Sequence, residues 1–253
     1  MTKGVLVFAR NNAKVDYIKQ AYFLAQRVRT YLGIPTSIVT DSVQYLLSEY
    51  SDAHEVFDKI IPVDTSINEN HGTRKYWDGS LVNNRLEFKN NSRPYAYDLS
   101  PYEETLLLDT DIIICNDIYK QCFSQAHNFL IYKRAVDLSG IDRGQEFERI
   151  SDSSADFYWA TAVFFRKTPE NKIFFDLTKH VMENWQHYKN VFQMDLPYYR
   201  NDHCFSVAIH IMNGYQQADF AKPMPGTLYY TTDKSLLWNI DNDNLFFLLE
   251  KHK

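Results

Sequence analysis

The chain has few cysteines, which excludes two common ways of holding a fold together. Cys115, Cys122 and Cys204 are the only ones in 253 residues. Their odd number and wide spacing match neither a disulfide framework nor a zinc-binding motif, so we predict three reduced thiols. Stability must then come from a hydrophobic core, and 45% hydrophobic and 15% aromatic residues are sufficient to build one.

Long apolar runs are also missing. No segment approaches the roughly 20 consecutive apolar residues of a membrane-spanning helix. The apolar stretch Val5–Ala9 is far shorter than the hydrophobic region of a signal peptide. Internal repeats and low-complexity segments are absent. We therefore expect a soluble, cytoplasmic protein whose residues 1–253 form a single domain.

Positive charge is in deficit, and the net charge is −5 at pH 7. Broad electrostatic binding of nucleic acid needs a basic surface, so this balance argues against that class of partner without removing it. Individual basic residues such as Arg85, Lys89 and Arg93 could still contact phosphate groups.

The most informative feature that is present is the segment Glu104–Cys115. In it an apolar run ends in Asp109-Thr110-Asp111, and a second apolar run follows at once. An uninterrupted apolar run indicates a strand buried on both faces of a parallel sheet. On an extended chain, residues i and i+2 lie on the same side, so the carboxylates of Asp109 and Asp111 are expected to converge.

Two interpretations of this acidic pair stay open. Ligands of open α/β sheets bind beyond the carboxyl ends of the strands, where two carboxylates would suit a hard divalent cation and the phosphates that it carries. Alternatively, the aspartates only end the strand, because Asp favours turns. A second Asp-x-Asp sequence, Asp241–Asp243, means that the bare pattern is not specific.

Strands and amphipathic helices alternate along the chain. The predicted strands lie at residues 4–9, 35–40, 56–63, 129–132 and 157–165, besides the strand that ends near Asp109. The predicted helices lie at about 13–32, after Asp41 or Ser42, and at about 81–90, 117–123, 169–188 and 201–212. Gly33 is expected to end the first helix. This order predicts a three-layer α/β/α fold with a mostly parallel central sheet.

Residues 137–156 stand apart, because they are charged and lack apolar periodicity. A loop of this length inside a compact domain is usually functional or disordered. We interpret it as a mobile lid that closes over a ligand.

Several landmarks, taken in order, are shared with one known family. Those in the first 115 residues are Val5–Asn12, the helix after it, Thr36–Asp41, Asp58–Asp64, a helix carrying Arg85, and Leu106–Asp111. Together they resemble the nucleotide-binding half of the type A (GT-A) glycosyltransferases, and most closely the glycogenin-like branch. In the second half, Ala160–Pro169 is similar to the family's strand that contains Asn-Ser-Gly. Asn201-Asp202-His203 stands where the family begins a helix with Asp-Gln.

The resemblance implies a metal-dependent glycosyltransferase that takes a sugar from a nucleotide-diphosphate donor, with UDP as the most usual nucleotide. Asp111 would ligate Mn²⁺ or Mg²⁺ between the two phosphates, and Asp109 would share that metal or hold the ribose. The metal would neutralise the charge that develops on the departing diphosphate. The residues that would contact the nucleotide sugar are Ala9, Arg10, Asn11, Tyr17, Arg85, Asp109 and Thr110. The acceptor is not indicated.

Asp202 is the candidate catalytic residue, either as a base towards the acceptor or as a stabiliser of the sugar cation. The alternative is that it only caps a helix. Tyr17 would stack on the base or pack under the sheet, and Arg85 would bring positive charge to the donor or remain a solvated helix residue. His203 and His210, seven apart on one helix face, are interpreted as core or groove residues.

Two departures from the family's pattern concern the metal and the sugar. Of the glycogenin-like His-x-x-Gly-x-x-Lys-Pro-Trp motif only Lys222-Pro223 remains, so the third metal ligand stays open. Its candidates are Asp219, Asp241, Asp243 and water. Ala160-Thr161-Ala162 stands in place of Asn-Ser-Gly. Both departures bear on the donor sugar and on whether the anomeric configuration is retained or inverted.

Two other functions compete with glycosyl transfer. In a phosphatase of the haloacid dehalogenase type, Asp109 would be the nucleophile and Asp111 the acid/base. That motif usually opens its domain, whereas here it lies mid-chain, and Ile113 replaces the usual Thr or Val. The other alternative is a non-catalytic module that binds a nucleotide, which turnover of a nucleotide sugar would distinguish from an enzyme.

Overall fold

The structure of the protein is a computed structural model that describes most of the chain. The described residues are 1–11, 15–63, 72–76, 84–88, 92–138, 147–152, 155–196, 199–216 and 218–231. Their strands are β1 (Lys3–Phe8), β2 (Thr36–Thr40), β3 (Lys59–Pro62), β4 (Gly72–Tyr76), β5 (Asn84–Phe88), β6 (Glu104–Leu108), β7 (Phe129–Tyr132), β8 (Ala135–Asp137), β9 (Trp159–Arg166), β10 (Lys222–Pro223) and β11 (Leu228–Tyr230). Their α-helices are α1 (Tyr17–Arg27), α2 (Val43–Glu49), α3 (Ala53–Val56), α4 (Ala96–Leu99), α5 (Lys120–Ser124), α6 (Pro169–Glu183), α7 (Trp185–Val191) and α8 (Asn201–Met212). None of these described helices is long and apolar enough to cross a membrane.

Seven strands form one sheet in the order β10-β7-β9-β6-β1-β2-β3. The pairs β1 with β2, β1 with β6, β2 with β3 and β7 with β10 are parallel. Strand β9 runs antiparallel to its neighbours β6 and β7. The mostly parallel sheet predicted from the sequence is therefore confirmed.

Helices cover both faces of this sheet and complete the three predicted layers. Side chains of β1 alternate between the faces, as the pleat of a strand requires. Val5 and Val7 pack in one buried cluster with α1, α2 and α3. Leu6 and Phe8 pack in a second cluster with α4, α6 and α8. The strand is thus buried on both faces.

The first predicted helix starts later than expected and changes its geometry near its end. Asp16 caps α1 by accepting a hydrogen bond from the backbone N–H of Lys19. A turn of π-helix follows at Val28–Leu32. Gly33 then ends the helix in the left-handed conformation, with a φ of 66°, as predicted.

The helix predicted at 81–90 is wrong. The middle of that segment is β5, which pairs antiparallel with β4 and places Arg85 opposite Lys75. Polar and apolar residues alternate along β5 as Arg85, Leu86, Glu87 and Phe88. A two-residue period favours a strand, and pairing with β4 stabilises the strand over the helix.

The helix predicted at 169–188 is interrupted at Asn184, which separates α6 from α7. The Asn184 side-chain amide donates to the backbone carbonyl of His180 at 2.9 Å. Such local bonds compete with continuation of a helix. At the other end, Thr168 caps α6 through its side chain and Pro169 occupies the first turn.

The predicted lid lies partly outside the described residues, since 139–146, 153 and 154 are not among them. Its start belongs to β8, which pairs with β11 near the end of the described chain. Arg149 and Asp156 form an isolated antiparallel bridge. Closure of the lid stays a prediction.

Gly4 in β1 lies directly against the ring of Tyr102. A Cβ atom added at Gly4 would be 2.4 Å from the ring carbon Cζ. The ring is held in place by its hydroxyl, which lies 2.6 Å from Ser37 Oγ and donates to Asp58 Oδ2 at 3.2 Å. Any side chain at position 4 must therefore displace a ring that is anchored by hydrogen bonds.

We predict that Gly4→Ala lowers the free energy of unfolding by about 1–3 kcal/mol, the usual cost of overpacking a core. Urea unfolding followed by fluorescence measures this change. In a Tyr102→Leu background the same substitution should cost roughly half as much or less, because the ring is absent. Equal costs in the two backgrounds would contradict the packing explanation.

Candidate active site

The carboxyl ends of three parallel strands and the start of β9 meet at one edge of the sheet. Strands β1, β2 and β6 end there in Phe8, Thr40 and Leu108. Because β9 runs antiparallel, its first residues stand beside the end of β6, with Ala162 opposite Leu108. Open α/β sheets bind their ligands at this edge.

Two of the predicted nucleotide-contacting residues follow β1 and are buried. The backbone N–H of Ala9 donates to the carbonyl of Val39 at 3.0 Å. The guanidinium of Arg10 forms an ion pair with Asp41 at the end of β2, with Nε 3.1 Å from Oδ2. Arg10 therefore joins the ends of two strands, and its charge is balanced within the fold.

Asn11 and Tyr17, two further residues predicted to contact the nucleotide, lie at the start of α1. Asn11 Oδ1 accepts a hydrogen bond from the backbone N–H of Ile18 at 3.0 Å, and its amide donates to Asp16 Oδ1 at 3.1 Å. Tyr17 is half-buried and packs against the hydrophobic core. This packing agrees with the second interpretation of Tyr17, and stacking on a base stays a prediction.

The acidic pair lies in a turn and not on the strand. Strand β6 ends at Leu108, and the backbone N–H of Ile112 donates to the carbonyl of Asp109 at 3.3 Å. Thr110 and Asp111 are thus the two central residues of a β-turn. The expected extended conformation of Asp109–Asp111 is wrong, because the strand ends at Leu108. Convergence of the two carboxylates stays a prediction.

The three residues of this turn differ in exposure. Asp111 is exposed and Thr110 is buried, while the side chain of Asp109 is 31% exposed. Thr110 Oγ1 donates to Oε1 of Gln20 on α1 at 3.0 Å. This bond ties the turn to α1, so that Thr110 anchors the turn and Asp111 faces solvent.

Asp109 is held by Arg93, which lies just before α4. Arg93 is 1% exposed, and its Nη1 donates to Asp109 Oδ1 in an ion pair. Its Nη2 donates to the backbone carbonyls of Ala160 and Thr161, the latter at 3.1 Å. The backbone N–H of Asp109 donates to the same Thr161 carbonyl at 2.8 Å. One buried guanidinium therefore joins the turn after β6 to the start of β9.

Sequence reasoning missed this role of Arg93. Arg93 is one of the basic residues that could contact phosphate groups by sequence, and its burial against Asp109 argues against that role. The contact joins residues 16 apart in sequence, a distance over which no helical or strand periodicity operates. Of the other basic residues considered, Arg85 has only its backbone described, and Lys89 lies outside the description.

Asp202 reaches Ala160 from α8. Its Oδ1 accepts a hydrogen bond from the backbone N–H of Ala160 at 2.9 Å, and its Oδ2 lies 3.2 Å from Arg200 Nη2. The residue at the N-cap of α8 is Arg200, which makes no side-chain capping bond. The interpretation of Asp202 as an N-cap is therefore wrong, because its carboxylate turns to β9. It lies in the first helical turn, where the helix dipole favours an anion.

A bulge in β9 makes the backbone of Ala160 available to these side chains. Ile131 of β7 pairs with Val163, but the next residue, Tyr132, pairs with Trp159. Residues 160–162 are therefore out of register with β7, and bulges leave such residues unpaired on that side. The polar groups of Ala160 are satisfied by Arg93 and Asp202 instead.

The structure thus brings together the two carboxylates that the sequence singled out for different roles. Contacts run from Asp109 to Arg93, from Arg93 to the carbonyl of Ala160, and from the N–H of Ala160 to Asp202. Ala160 contributes both of its backbone groups to this set. The contact of Arg85 with the donor stays a prediction, because only the backbone of Arg85 is described.

The acidic pair supplies the type of ligand that a hard divalent cation requires. Carboxylate oxygens of Asp109 and Asp111 suit Mn²⁺ or Mg²⁺, and Mg²⁺ in particular is usually bound by one or two carboxylates, phosphates and water. Within the described ranges, no three His, Cys, Asp or Glu side chains form a complete metal-binding group. The chemistry of the two carboxylates suits such a metal, which would take its remaining ligands from phosphate oxygens and water.

The candidates for a third protein ligand are not gathered at this edge by the described structure. Asp219 is exposed and pairs with Lys222, with Oδ1 3.0 Å from Nζ. The other two, Asp241 and Asp243, lie outside the described residues. The third ligand stays open.

Solved structures share this fold. The galactosyltransferase LgtC, in complex with donor and acceptor sugar analogs, is similar with a TM-score of 0.50 and 10% identity over 89% of this chain and 72% of its own. An active-site mutant of LgtC is similar with a TM-score of 0.52 and 9% identity over 94% of this chain and 79% of its own. The protein has the GT-A fold. This confirms the predicted fold class, while the glycogenin-like branch stays a prediction.

A lower similarity extends to mouse xyloside xylosyltransferase 1 in its apo form, with a TM-score of 0.45 and 8% identity over 88% of this chain and 85% of its own. No protein-family model matches the sequence, and no curated protein matches it.

His203 follows Asp202 and turns into the core. It is 6% exposed, and its ring meets that of Phe157 edge-on with the centroids 5.2 Å apart. Burial, and after it the charge of Arg200, lowers the pKa of His203 to about 4. A buried neutral imidazole agrees with the interpretation of His203 as a core residue, and His210 on the same helix is half-buried.

We predict that His203 makes the protein less stable as the pH falls. Its folded-state pKa of about 4 lies below the ordinary value of 6.5, so the unfolded chain takes up a proton first. The loss of unfolding free energy that His203 causes is absent above about pH 6.5. It grows as the pH falls to about 4, where it reaches about 3 kcal/mol. Urea unfolding of the wild type and His203→Leu at about pH 7.5, 5.5 and 4.5 measures it.

The wild type should lose stability more steeply than His203→Leu in this window. Phe174→Leu is the control, because it opens a buried site on α6 without removing a titratable group. It should lower stability by a similar amount at every pH. Parallel curves for the wild type and His203→Leu would contradict the prediction.

Proposed function

We propose that the protein is a metal-dependent glycosyltransferase that moves a sugar from a nucleotide-diphosphate donor, with UDP as the nucleotide. The observation that carries the proposal is the position of Asp109 and Asp111, just beyond β6 at the carboxyl edge of a GT-A sheet. LgtC, a galactosyltransferase with a similar fold, was solved with donor and acceptor sugar analogs.

Asp109 and Asp111 would hold Mn²⁺ or Mg²⁺ together with oxygens of the donor diphosphate. As a Lewis acid, such an ion stabilises the charge that develops on the leaving diphosphate by several kcal/mol. The two aspartates would contribute unequally. Asp111 is exposed and would meet the ion directly. Asp109 is fixed by Arg93, so its position is set before a ligand arrives.

The nucleotide would lie along the ends of β1 and β6, in the half of the chain formed by residues 1–115. The residues proposed to contact the nucleotide sugar are Ala9, Arg10, Asn11, Tyr17, Arg85, Asp109 and Thr110. Arg10 would act through its backbone, because its guanidinium is paired with Asp41. Residues 116–253 would form the acceptor side.

Asp202 would act at the sugar. Its side chain is 17% exposed, and its two oxygens contact the Ala160 N–H and the Arg200 guanidinium. Each carboxylate oxygen can accept more than one hydrogen bond, so these contacts fix Asp202 and still leave it able to accept a proton from the acceptor. A fixed carboxylate suits electrostatic stabilisation of a sugar cation, because a preorganised charge needs no reorganisation during the reaction.

The phosphatase alternative receives no such support. It would require Asp109 to attack phosphorus, and an ion pair with buried Arg93 occupies one oxygen of that carboxylate. Two solved structures similar to this chain, with TM-scores of 0.50 and 0.52, are of LgtC, a galactosyltransferase.

We predict that Asp111→Asn abolishes metal-dependent binding of UDP while leaving the fold intact. Loss of a direct metal ligand should weaken binding by more than about 100-fold, since even outer-shell substitutions cost about 10- to 100-fold. Calorimetric titration with UDP and Mn²⁺ measures the affinity, and circular dichroism checks the fold. Asp117→Asn is the matched control, because Asp117 is an exposed aspartate a few residues further along the chain.

Unchanged UDP affinity in Asp111→Asn would count decisively against the metal site. Turnover is tested separately with a panel of nucleotide sugars and mass spectrometry of the products. Mn²⁺-dependent release of UDP supports the enzyme, binding without turnover supports the non-catalytic module, and release of phosphate from small esters supports the phosphatase.

A further inference from the structure

We propose that Arg93 is a positioning residue that couples Asp109 to Asp202 through the backbone of Ala160. The coupling is a property of the fold, whereas its consequence for catalysis rests on the proposed function. The carboxylate that would face the metal and the carboxylate that would face the sugar would then be positioned as one unit.

The first step of the coupling is the guanidinium itself. Its donors form a rigid planar fork, so a movement at one nitrogen is a movement at the other. Nη1 contacts Asp109 and Nη2 contacts the carbonyls of Ala160 and Thr161. Because Arg93 is 1% exposed, it acts on a ligand through these partners.

The second step is the bulged backbone of Ala160. Its carbonyl accepts from Arg93 and its N–H donates to Asp202 at 2.9 Å. Residues 160–162 are out of register with β7, so these contacts replace strand pairing on that side. A shift of Arg93 therefore acts on the residue that positions Asp202.

The opposite end of β9 contains a matched arrangement that does not involve Asp109 or Asp111. Arg166 Nε donates to Glu104 Oε1 at 2.6 Å, and its other nitrogens donate to the carbonyls of His127 and Phe123 at 2.7 and 3.3 Å. Both arginines thus join a carboxylate on the β6 side to backbone carbonyls. Substitution of Arg166 is therefore the control. It removes similar hydrogen bonds from the sheet without changing a contact of Asp109 or Ala160.

Amide hydrogen exchange of Ala160, measured by NMR relative to Val163 in the same strand, tests the coupling without a ligand. Asp109→Asn removes the charge that holds Arg93. It should raise the ratio of the Ala160 and Val163 exchange rates by about fivefold to tenfold, the change expected when one hydrogen bond weakens. Asp117→Asn should leave the ratio unchanged. An unchanged ratio in Asp109→Asn would overturn the proposal.

Arg93→Lys keeps the positive charge at this position but removes the planar guanidinium. An ammonium group can pair with Asp109, but it cannot reproduce the planar fork that also reaches the carbonyls. In this background, adding Asp109→Asn should change the exchange ratio by less than about twofold. A change as large as in the wild type would mean that Asp109 acts on Ala160 by another route, and it too would overturn the proposal.

The functional test is calorimetric titration of UDP and Mn²⁺ into the wild type, Arg93→Lys and Arg166→Lys. Arg93→Lys should weaken binding by about 10- to 100-fold, as expected for a residue that orients a metal ligand. Arg166→Lys should change it by less than about twofold, although both variants lower the urea midpoint. Equal weakening would assign Arg93 to stability alone and overturn the positioning role. If the wild type binds no UDP, the proposed function fails, and the exchange ratios still decide on the coupling.

Discussion

The burial of one positive charge is the constraint on which the carboxyl edge of the sheet depends. A guanidinium that leaves water loses several kcal/mol of hydration unless a carboxylate and hydrogen-bond acceptors replace the solvent. For Arg93 the replacements come from Asp109 and from the carbonyls at the start of β9. Separating these strands would leave an unpaired charge in the core. The geometry of the edge is therefore fixed by electrostatics as well as by strand pairing.

This constraint divides the acidic pair into two different residues. Asp109 forms an ion pair with the buried Arg93, while Asp111 lies on the exposed side of the turn. The turn is also attached to α1, because Thr110 donates to Gln20. The contacts of Asp109 and Thr110 on two sides restrict the turn that carries Asp111. A ligand site gains precision when its supporting side chains are held by packing and hydrogen bonds.

The regular parts of the fold could be predicted from the sequence because their signals are local. The strand at Phe129–Tyr132 and the left-handed Gly33 follow from an apolar run and from the conformational freedom of glycine. The gathering of Asp109 at the carboxyl edge follows from the order of strands and helices. Each of these inferences needs only neighbouring residues or the sequence of elements.

The parts that could not be predicted depend on partners distant in sequence. The segment around Arg85 satisfies both helical and strand patterns, and only pairing with β4 selects the strand. The contacts of Arg93 with Ala160 and Thr161 span 67 and 68 residues. The bulge of β9 depends on its register with β7, which the residues of β9 do not encode alone. The resemblance to a family identified Asp202, but it gave no indication that Asp202 and Asp109 are connected.

The same bulge bears on the replacement of Asn-Ser-Gly by Ala160-Thr161-Ala162. Arg93 and Asp202 already occupy both backbone groups of Ala160, and its methyl side chain has no polar atom. A sugar bound beside this strand must therefore be recognised by other groups. Asp202 on α8 and the half-buried Thr161 are two of the polar side chains that the described structure places at this strand start. If the protein transfers a sugar, side chains such as those of Asp202 and Thr161, and not the backbone of Ala160, would select the donor at this strand.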